Sequence, residues 1–218
     1  METIGFLGGT GPLGRGLALR LAMAGHDVLL GSRDAARCEL LAAEVREAAG
    51  SGAGDVRGMA NADVAAQADV VFLTMPYEGQ RPVLEQVGAA LDGKLVVSCV
   101  NALSFEGGPH AIAVPAGSSA LEAGELVPGA RVTAGFHTVS APKLEDPSAT
   151  LDGDVPVVGD DGDDRQRVVD LANAIPGLRG VHAGSLRHSH TLEALTAMII
   201  SINKLHRTSV GIRFTGLA

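Results

Sequence analysis

A glycine-rich segment near the amino terminus has the spacing of a phosphate-binding turn. Gly9, Gly11 and Gly14 form a GxGxxG pattern between the apolar run 4–7 and an apolar helical pattern that ends near residues 24–25. The first glycine makes the strand-to-helix turn, the second lets backbone approach a pyrophosphate, and the third lets helix pack on strand. The free N–H groups at the start of such a helix bind phosphate. The segment therefore predicts a dinucleotide site, and a glycine turn without a ligand is the alternative.

The residues after the second predicted strand bear on the choice of dinucleotide. The run 27–31 is typical of a buried parallel strand, and Ser32 and Arg33 follow it directly. An NAD site has Asp or Glu at this place, where the acid binds the ribose 2′-OH. A guanidinium can instead pair with a 2′-phosphate, to which Ser32 can donate, and Arg37 lies one helical turn further on. The sequence favours NADP(H) over NAD(H); the alternative is that both arginines are solvated charges, with Asp34 as a local partner.

Composition limits the class of protein. The chain has 218 residues, 46% of them hydrophobic, which suffices for one large α/β domain with a modest appendage. Its 17 Lys and Arg against 25 Asp and Glu give a formal net charge of -8, and no basic run interrupts the acidic balance. We therefore expect small-molecule ligands and no nucleic-acid partner.

Cysteine usage and hydropathy indicate the compartment. Cys38 and Cys99 lack the spacing of a disulfide scaffold or a metal site, which fits a reducing cytoplasm. The sequence starts with its first strand and not with a basic, then apolar leader. The longest mainly apolar stretch, 195–202, is too short to span a bilayer. We expect a soluble, cytoplasmic protein without a membrane partner.

Strand and helix patterns alternate along most of the chain. This alternation predicts an α/β fold, a Rossmann-type doubly wound and mostly parallel sheet with a small C-terminal helical segment. The expected division is a dinucleotide-binding domain over residues 1–184 and the helical segment over residues 185–218. Apolar residues recur at helical spacing over 186–205. A lone helix rarely buries such a face by itself, so the pattern suggests a homodimer.

A second group of candidate residues follows the strand at 69–74. Met75 and Pro76 stop that strand at its carboxyl end, which faces the ligand crevice of a doubly wound sheet. Pro82 suits the first turn of a helix that runs to about residue 91, so we expect residues 77–81 to form a loop entering the crevice. Tyr77 and Arg81 are candidates to flank the adenine or the phosphates. The alternatives are an ordinary half-buried aromatic ring and a solvated charge.

A histidine lies near the end of a later predicted strand. The strand 131–139 is expected to place His137 and Val139 on one side and Thr138 on the other. The long connection 104–119, rich in Gly, Pro and Ser, is interpreted as a pocket wall. His137 is a candidate to orient a bound ring by hydrogen bonding, and the alternative is a satisfied buried histidine.

Two further patterns could suggest metal binding. The acidic run 159–164 lacks the twelfth-position glutamate of a calcium loop, and initiation of a helix by acids is the simpler interpretation. His188 and His190 are two residues apart, so on a helix they point in different directions. The sequence predicts no metal site.

Taken together, these segments give the chain a resemblance to a known family over nearly all of its length. It resembles the F420-dependent NADP oxidoreductases (8-hydroxy-5-deazaflavin:NADPH oxidoreductases, or NADPH-dependent F420 reductases) in their actinobacterial form. Many NADP proteins share the first segments, so the later ones carry the specificity. The segments are 8–14 with 16–18, 31–33, 136–141, 154–161 and 192–196.

The resemblance implies a reaction and a set of residue roles. The reaction is reversible hydride transfer between C4 of the nicotinamide of NADP(H) and C5 of the deazaflavin coenzyme F420. The segment from Gly9 through Thr10, Gly11, Pro12 and Leu13 would hold the pyrophosphate. The 2′-phosphate would be held by Ser32, Arg33 and Arg37, the dinucleotide groove lined by Tyr77, Arg81, Leu103 and Ala141, and the junction of the two rings formed by His137 and Val139.

In direct hydride transfer the protein mainly aligns the two cofactors, because the cofactors themselves donate and accept the hydride. We therefore expect no essential general base. Two other functions remain open. One is an NADPH-dependent reductase of another acceptor, such as a flavin, a metal or an imine. The other is a non-catalytic NADP(H)-sensing module, which could have the nicotinamide face closed, whereas an enzyme needs an open apolar slot there.

Overall fold

The computed structural model describes residues 2–217, which contain ten strands and eight α-helices. The strands are β1 (Thr3–Leu7), β2 (Asp27–Ser32), β3 (Val56–Ala60), β4 (Val70–Leu73), β5 (Leu95–Ser98), β6 (Leu103–Ser104), β7 (His110–Ala111), β8 (Arg131–Ala134), β9 (Gly153–Gly159) and β10 (Leu178–His182). The helices are α1 (Pro12–Met23), α2 (Ala35–Ala49), α3 (Asn61–Gln67), α4 (Tyr77–Val87), α5 (Ser119–Leu126), α6 (Ala141–Glu145), α7 (Gly162–Asn173) and α8 (Ser189–His206).

Eight of the strands form one sheet in the order β10-β9-β8-β5-β4-β1-β2-β3. Neighbouring strands run parallel except β8 and β9, which are antiparallel. The chain starts in the middle of the sheet and adds strands first on one side of β1 and then on the other. This arrangement leaves a crevice beyond the carboxyl ends of β1 and β4. The predicted Rossmann-type, mostly parallel sheet is confirmed.

The core holds this crevice in place. Parallel strands are covered on both faces, and the residues of β4 and β5 are accordingly apolar and buried almost throughout. The rings of Phe6, Phe72 and Phe136 stack from β1 through β4 to the segment after β8, with centroids 5.1 and 5.6 Å apart. Such offset aromatic contacts stabilise the sheet beyond the burial of their area.

The predicted loop at residues 77–81 is wrong. The helix α4 begins at Tyr77, directly after Pro76, and Pro82 lies inside it. A proline inside a helix removes one main-chain hydrogen bond, but α4 still buries Val83, Leu84 and Val87. Burial of this apolar face outweighs the missing bond and starts the helix at the earlier proline.

The predicted strand at residues 131–139 is too long. β8 ends at Ala134, and Phe136 has a φ of 65°, a left-handed conformation that residues other than glycine rarely adopt. The packing of its buried ring on Phe72 holds this conformation. Because the chain turns here, strand alternation does not determine the directions of His137, Thr138 and Val139, and that expectation is also wrong.

Other expectations about local structure have mixed outcomes. The connection 104–119 is not irregular throughout, because β6 and β7 pair as an antiparallel hairpin that contacts α8. The acidic run does start a helix: the carboxylate of Asp161 accepts hydrogen bonds from the N–H groups of Asp163 and Asp164, both at 2.9 Å. Within residues 2–217, no helix has the length and apolarity to cross a membrane.

Candidate functional site

A cavity of about 640 Å³, here named the loop cavity, opens at the carboxyl ends of β1, β2 and β4. Thr10 and Gly11 of the glycine-rich turn line it, together with Ser32 and Arg33 after β2. The predicted phosphate turn and two of the three predicted 2′-phosphate residues, Ser32 and Arg33, therefore face one space. Its remaining lining residues are Gly8, Asn61, Thr74, Met75, Pro76, Glu78, Gly79, Pro82, Val83 and Gln86.

Packing explains some glycines of the turn but not Gly11. Gly8 has a φ of +69°, which makes it the left-handed residue of the turn. A Cβ on Gly14 would lie 2.7 Å from the backbone of Gly9, so helix-to-strand packing requires glycine there. Within residues 2–217, a Cβ on Gly11 would meet no atom beyond its chain neighbours closer than 4.0 Å, and its φ of -75° suits any residue. Packing of the protein therefore does not require glycine at this position. Close approach of a ligand to the backbone is a reason for glycine here.

Arg33 carries the positive charge of the loop cavity. Among residues 2–217, neither Arg33 nor Arg37 has an ion pair, and Asp34 instead caps α2 by accepting from the N–H of Arg37 at 3.0 Å. Asp34 is therefore not an ion-pair partner of Arg33 in the described residues. The hydroxyl of Ser32 accepts from the N–H of Asp34 at 3.2 Å, which leaves its own proton free to be donated.

A second cavity of about 290 Å³, here named the histidine cavity, lies on the other side of the turn. Leu13, in the first turn of α1, lines it, so the glycine-rich segment has one cavity on each side. His137 and Val139, which the resemblance places at the junction of the nicotinamide and deazaflavin rings, also line it. Its lining consists of Leu13, Asn101, His137, Thr138, Val139, Ser140, Ala141, Thr196, Ile199, Ile200, Asn203 and Val210.

The histidine cavity contains buried polar atoms without partners. Within the described chain, neither ring nitrogen of His137 makes a hydrogen bond, and Oδ1 of Asn101 also lacks one. Burial lowers the pKa of His137 to about 4. The carbonyl of Val100 lies close enough to oppose part of this shift but does not meet the geometry of a hydrogen bond. The neutral ring thus presents one donor and one acceptor. Orphaned buried groups carry a free-energy cost, which a bound polar ring can remove.

The helix α8 closes one side of the histidine cavity and is fixed by buried hydrogen bonds. The carboxylate of Glu193 accepts from the N–H and the hydroxyl of Ser119, at 2.9 and 2.7 Å. Burial raises the pKa of Glu193, and the bonds from Ser119 oppose that shift. One turn later, the hydroxyl of Thr196 donates to the carbonyl of His137 at 3.1 Å. These contacts join the C-terminal segment to the turn at residues 136–139, here named the histidine turn.

Several predicted site residues lie outside both cavities. Tyr77 and Arg81 are on a face of α4 directed to α5, where Arg81 pairs with Glu122 at 2.7 Å and with Glu85 at 3.8 Å. Burial, and next the charge of Glu122, raises the pKa of Tyr77. Leu103 is half-buried in β6, and Arg37 is exposed on α2.

Three others belong to the turn or its surroundings. The N–H of Gly9 donates to the carbonyl of Gly31 at 2.9 Å, behind the loop cavity. Pro12 is the first residue of α1, where its missing N–H is not needed. Ala141, the first residue of α6, lines the histidine cavity, and its place in the dinucleotide groove stays a prediction from the resemblance.

Sequence reasoning missed two asparagines. Asn61 follows β3 directly, lines the loop cavity, and accepts a hydrogen bond from the N–H of Gly8 at 3.2 Å through its side-chain oxygen. Asn101 stands three residues beyond β5 and lines the histidine cavity. Both stand at carboxyl ends of parallel strands. Ligands of doubly wound sheets bind at these ends, so a search of the residues that follow every strand would have found both asparagines.

Comparison with known proteins identifies the family. Residues 3–102 match the family described as NADP oxidoreductase, coenzyme F420-dependent. The F420-dependent NADP reductase of Methanothermobacter thermautotrophicus is 36% identical over 220 residues, an alignment that covers 98% of this chain and 95% of that protein. The chain belongs to the F420-dependent NADP oxidoreductase family.

Further members of the F420-dependent NADP oxidoreductase family agree over the full length. The F420-dependent NADP reductase of Methanocaldococcus jannaschii is 36% identical and aligned over 98% of each chain. A crystal structure from Arthrobacter sp. FB24, named provisionally as an F420-dependent NADP reductase, superposes with a TM-score of 0.82 at 27% identity and covers 100% of both chains. The similarity therefore includes the C-terminal segment as well as the sheet.

Proposed function

We propose that this protein transfers a hydride reversibly between NADP(H) and the deazaflavin coenzyme F420. The observation that carries the proposal is the pair of cavities beside the glycine-rich turn. One is lined by Arg33, which has no ion pair within residues 2–217, and the other by the buried, neutral His137. A dinucleotide whose pyrophosphate lies on the turn has room for its adenosine half in the loop cavity and for its nicotinamide in the histidine cavity. Family membership supports both cofactors.

The residues of the loop cavity account for a preference for NADP(H). The acid that holds a ribose 2′-OH in NAD sites is replaced by Ser32 and Arg33, and both face the cavity. We propose that these two residues bind the 2′-phosphate and that Thr10 and Gly11 bind the pyrophosphate through backbone N–H groups. Arg37, Tyr77, Arg81 and Leu103 stay predictions from the resemblance.

Replacing Gly11 with alanine is expected to weaken NADPH binding about tenfold, ~1.4 kcal/mol, because a methyl group would stand where the ligand approaches. The same change should leave the free energy of unfolding equal or up to about 1 kcal/mol higher, since alanine fits this backbone. Fluorescence titration with NADPH and urea denaturation measure the two quantities. Gly14→Ala is the matched control and should lose stability; unaltered NADPH affinity in Gly11→Ala would argue against the site.

The residues of the histidine cavity contribute to the reaction by positioning the two bound rings. When bound, NADPH supplies a hydride at C4 of its nicotinamide and the deazaflavin accepts it at C5. Leu13, Val139 and Ile199 give the histidine cavity apolar walls against which a ring can pack. The neutral His137 orients a ring by hydrogen bonding, and no group in the lining is required as a general base. Holding two reacting atoms near ~3 to 3.5 Å can itself lower the barrier by several kcal/mol.

The C-terminal segment completes this site. Thr196, Ile199 and Ile200 of α8 line the histidine cavity, and Val210 follows from the chain beyond α8. We therefore propose that residues 185–218 close the deazaflavin pocket against the dinucleotide-binding part, residues 1–184; Ala218 itself lies outside the described residues. The open histidine cavity also favours an enzyme over a nucleotide sensor with a closed face.

We also propose that the enzyme is a cytoplasmic homodimer that needs neither nucleic acid nor membrane. Met198 and Leu205 on α8 are 55% and 78% exposed, and Phe105 in the hairpin that contacts α8 is 65% exposed. A second copy can cover such an apolar surface. Cys38 and Cys99 are both buried and unpaired, as in a reducing compartment. Light scattering at micromolar protein should give twice the chain mass, and the mass of one chain would overturn the dimer.

The function is tested by anaerobic mixing of the purified protein with NADPH and oxidised F420, while the loss of deazaflavin absorbance is followed. Fast bleaching with this pair, and not with NADH or with FMN in place of F420, is the expected result. Tight NADPH binding without bleaching would instead indicate another acceptor or a sensor. Equal rates with NADH would contradict the role given to Arg33.

A further inference from the structure

A third cavity, here named the lysine cavity, adjoins the histidine cavity near the carboxyl end of α8. Its volume is about 330 Å³, and it shares Ser140 and Asn203 with the histidine cavity. The two cavities therefore adjoin at Ser140 and Asn203, and a ligand that occupies both has to pass over these two residues. The other lining residues are Pro142, Lys143, Asp146, Ala149, Thr208 and Ser209.

The charges around the lysine cavity favour an anion. Lys143 is half-buried, and its ammonium group lies 3.5 Å from the carbonyl of Ser209 without a carboxylate partner in residues 2–217. Lys204 and Arg207 flank two lining residues in sequence and likewise form no ion pair within that range. Lys143 is therefore the one cation among the described residues that line this cavity, within a chain of net charge -8.

Asp146 is the one carboxylate in the lining of the lysine cavity. It already accepts hydrogen bonds from the N–H and the hydroxyl of Ser148, at 2.9 and 2.6 Å. These bonds hold its pKa below the usual range, and the charge of Arg20 acts in the same direction. The carboxylate of Asp146 is stabilised by Ser148 and Arg20 and does not pair with Lys143. The ammonium group of Lys143 is therefore available to a ligand.

The wall of the lysine cavity is held rigidly. The buried guanidinium of Arg20 donates to the carbonyls of Lys143, Leu144 and Ala149, at 2.8, 3.1 and 3.0 Å. On the opposite side, the hydroxyl of Ser209 donates to that of Ser140 at 2.8 Å. Polar groups that are fixed before binding lose little entropy when a ligand arrives.

We propose that the lysine cavity binds the anionic tail of the deazaflavin, with Lys143 as its main charged contact. This inference rests on the proposed function, because it places the deazaflavin ring in the histidine cavity. The tail carries a phosphodiester and, further out, glutamate carboxylates, and both accept hydrogen bonds from an ammonium group. The shared wall of Ser140 and Asn203 is the point at which ring and tail meet.

The test is equilibrium binding of oxidised deazaflavins, followed by their own fluorescence without NADPH. Three probes are used: F420, a form that keeps the phosphodiester but lacks the glutamates, and a tail-free form that ends at the ribityl chain. Wild-type protein should bind F420 about tenfold more tightly than the tail-free form, since a charged hydrogen bond contributes roughly this much. The intermediate probe shows whether the phosphodiester or the carboxylates supply the difference.

Variants of Lys143 assign the effect to this residue. Lys143→Ala should raise the dissociation constant of F420 about tenfold and leave that of the tail-free form unchanged, whereas Lys143→Arg should restore most of the affinity. Arg57→Ala is the charge-matched control, because Arg57 lies on the edge strand β3 and pairs there with Asp55 at 3.3 Å. That variant should bind all three probes as the wild type does.

The outcomes separate this inference from the proposed function. If Lys143→Ala weakens tailed and tail-free probes equally, or neither, the tail site is overturned even when NADPH reduces both. Equal affinity of the wild type for all three probes overturns it as well. If no deazaflavin binds and none is reduced, the proposed function fails and the inference fails with it.

Discussion

Replacing Arg33 with alanine is expected to raise the Michaelis constant for NADPH about 10- to 100-fold and to change that for NADH less than about twofold. The guanidinium lines the loop cavity and has no ion pair within the described residues, so its charge is free for a phosphate. A hydrogen bond to a charged group contributes roughly 1.5 to 3 kcal/mol, which corresponds to that range. Initial-rate kinetics with both coenzymes and saturating F420 measure the change.

Arg37→Ala is the matched control for this prediction. Arg37 lies in the first turn of α2 and, like Arg33, is exposed, but it does not line the loop cavity. We expect its removal to have a several-fold smaller effect, because a charge outside the cavity acts on the ligand through water and is screened by salt. Equal effects of Arg33→Ala on the two coenzymes would refute the assignment of Arg33 to the 2′-phosphate. A larger effect of Arg37→Ala on NADPH would instead make Arg37 the main 2′-phosphate contact.

The loop cavity was predictable because its chemistry lies close together in sequence. A strand, three glycines and a helix suffice to predict the turn, and Ser32 and Arg33 follow the next strand directly. The carboxyl ends of neighbouring parallel strands meet at one edge, so two local patterns predict one site. The wrong prediction for Tyr77 also has a local origin. Pro76 and Pro82 are both acceptable helix starts, and only the packing of α4 decides between them.

The histidine cavity was less predictable because distant segments build it. His137 was expected to share a cavity with Val139, and it does, but the strand alternation behind that expectation is absent after Phe136. The contact between Glu193 and Ser119 joins residues 74 positions apart, and neither type nor spacing predicts it. The resemblance at 192–196 pointed to this part of α8 without assigning a role. The structure supplies one, since α8 holds the histidine turn through Thr196.

Replacing His137 with alanine is expected to slow hydride transfer about 100-fold in a single turnover, because loss of its hydrogen bond lets the ring shift, and a shift of ~1 Å costs about that factor. His137→Phe keeps the volume and removes the hydrogen bonds, so it should slow the step while it preserves the packing. Stopped-flow absorbance at saturating NADPH and F420 measures the rate, and circular dichroism checks the fold.

The pH dependence separates orientation by His137 from acid–base catalysis. Burial lowers its pKa to about 4, so the ring stays neutral from pH 6 to pH 8 and the wild-type rate of hydride transfer should be flat over that range. A general base with an ordinary histidine pKa would instead give a rate that rises through about pH 6.5. If the rate does rise there and His137→Phe abolishes the rise, the histidine moves a proton and the orienting role is wrong. If both variants transfer the hydride at the wild-type rate, His137 is a buried residue of the fold, and alignment of the two rings must come from the apolar walls and Asn101.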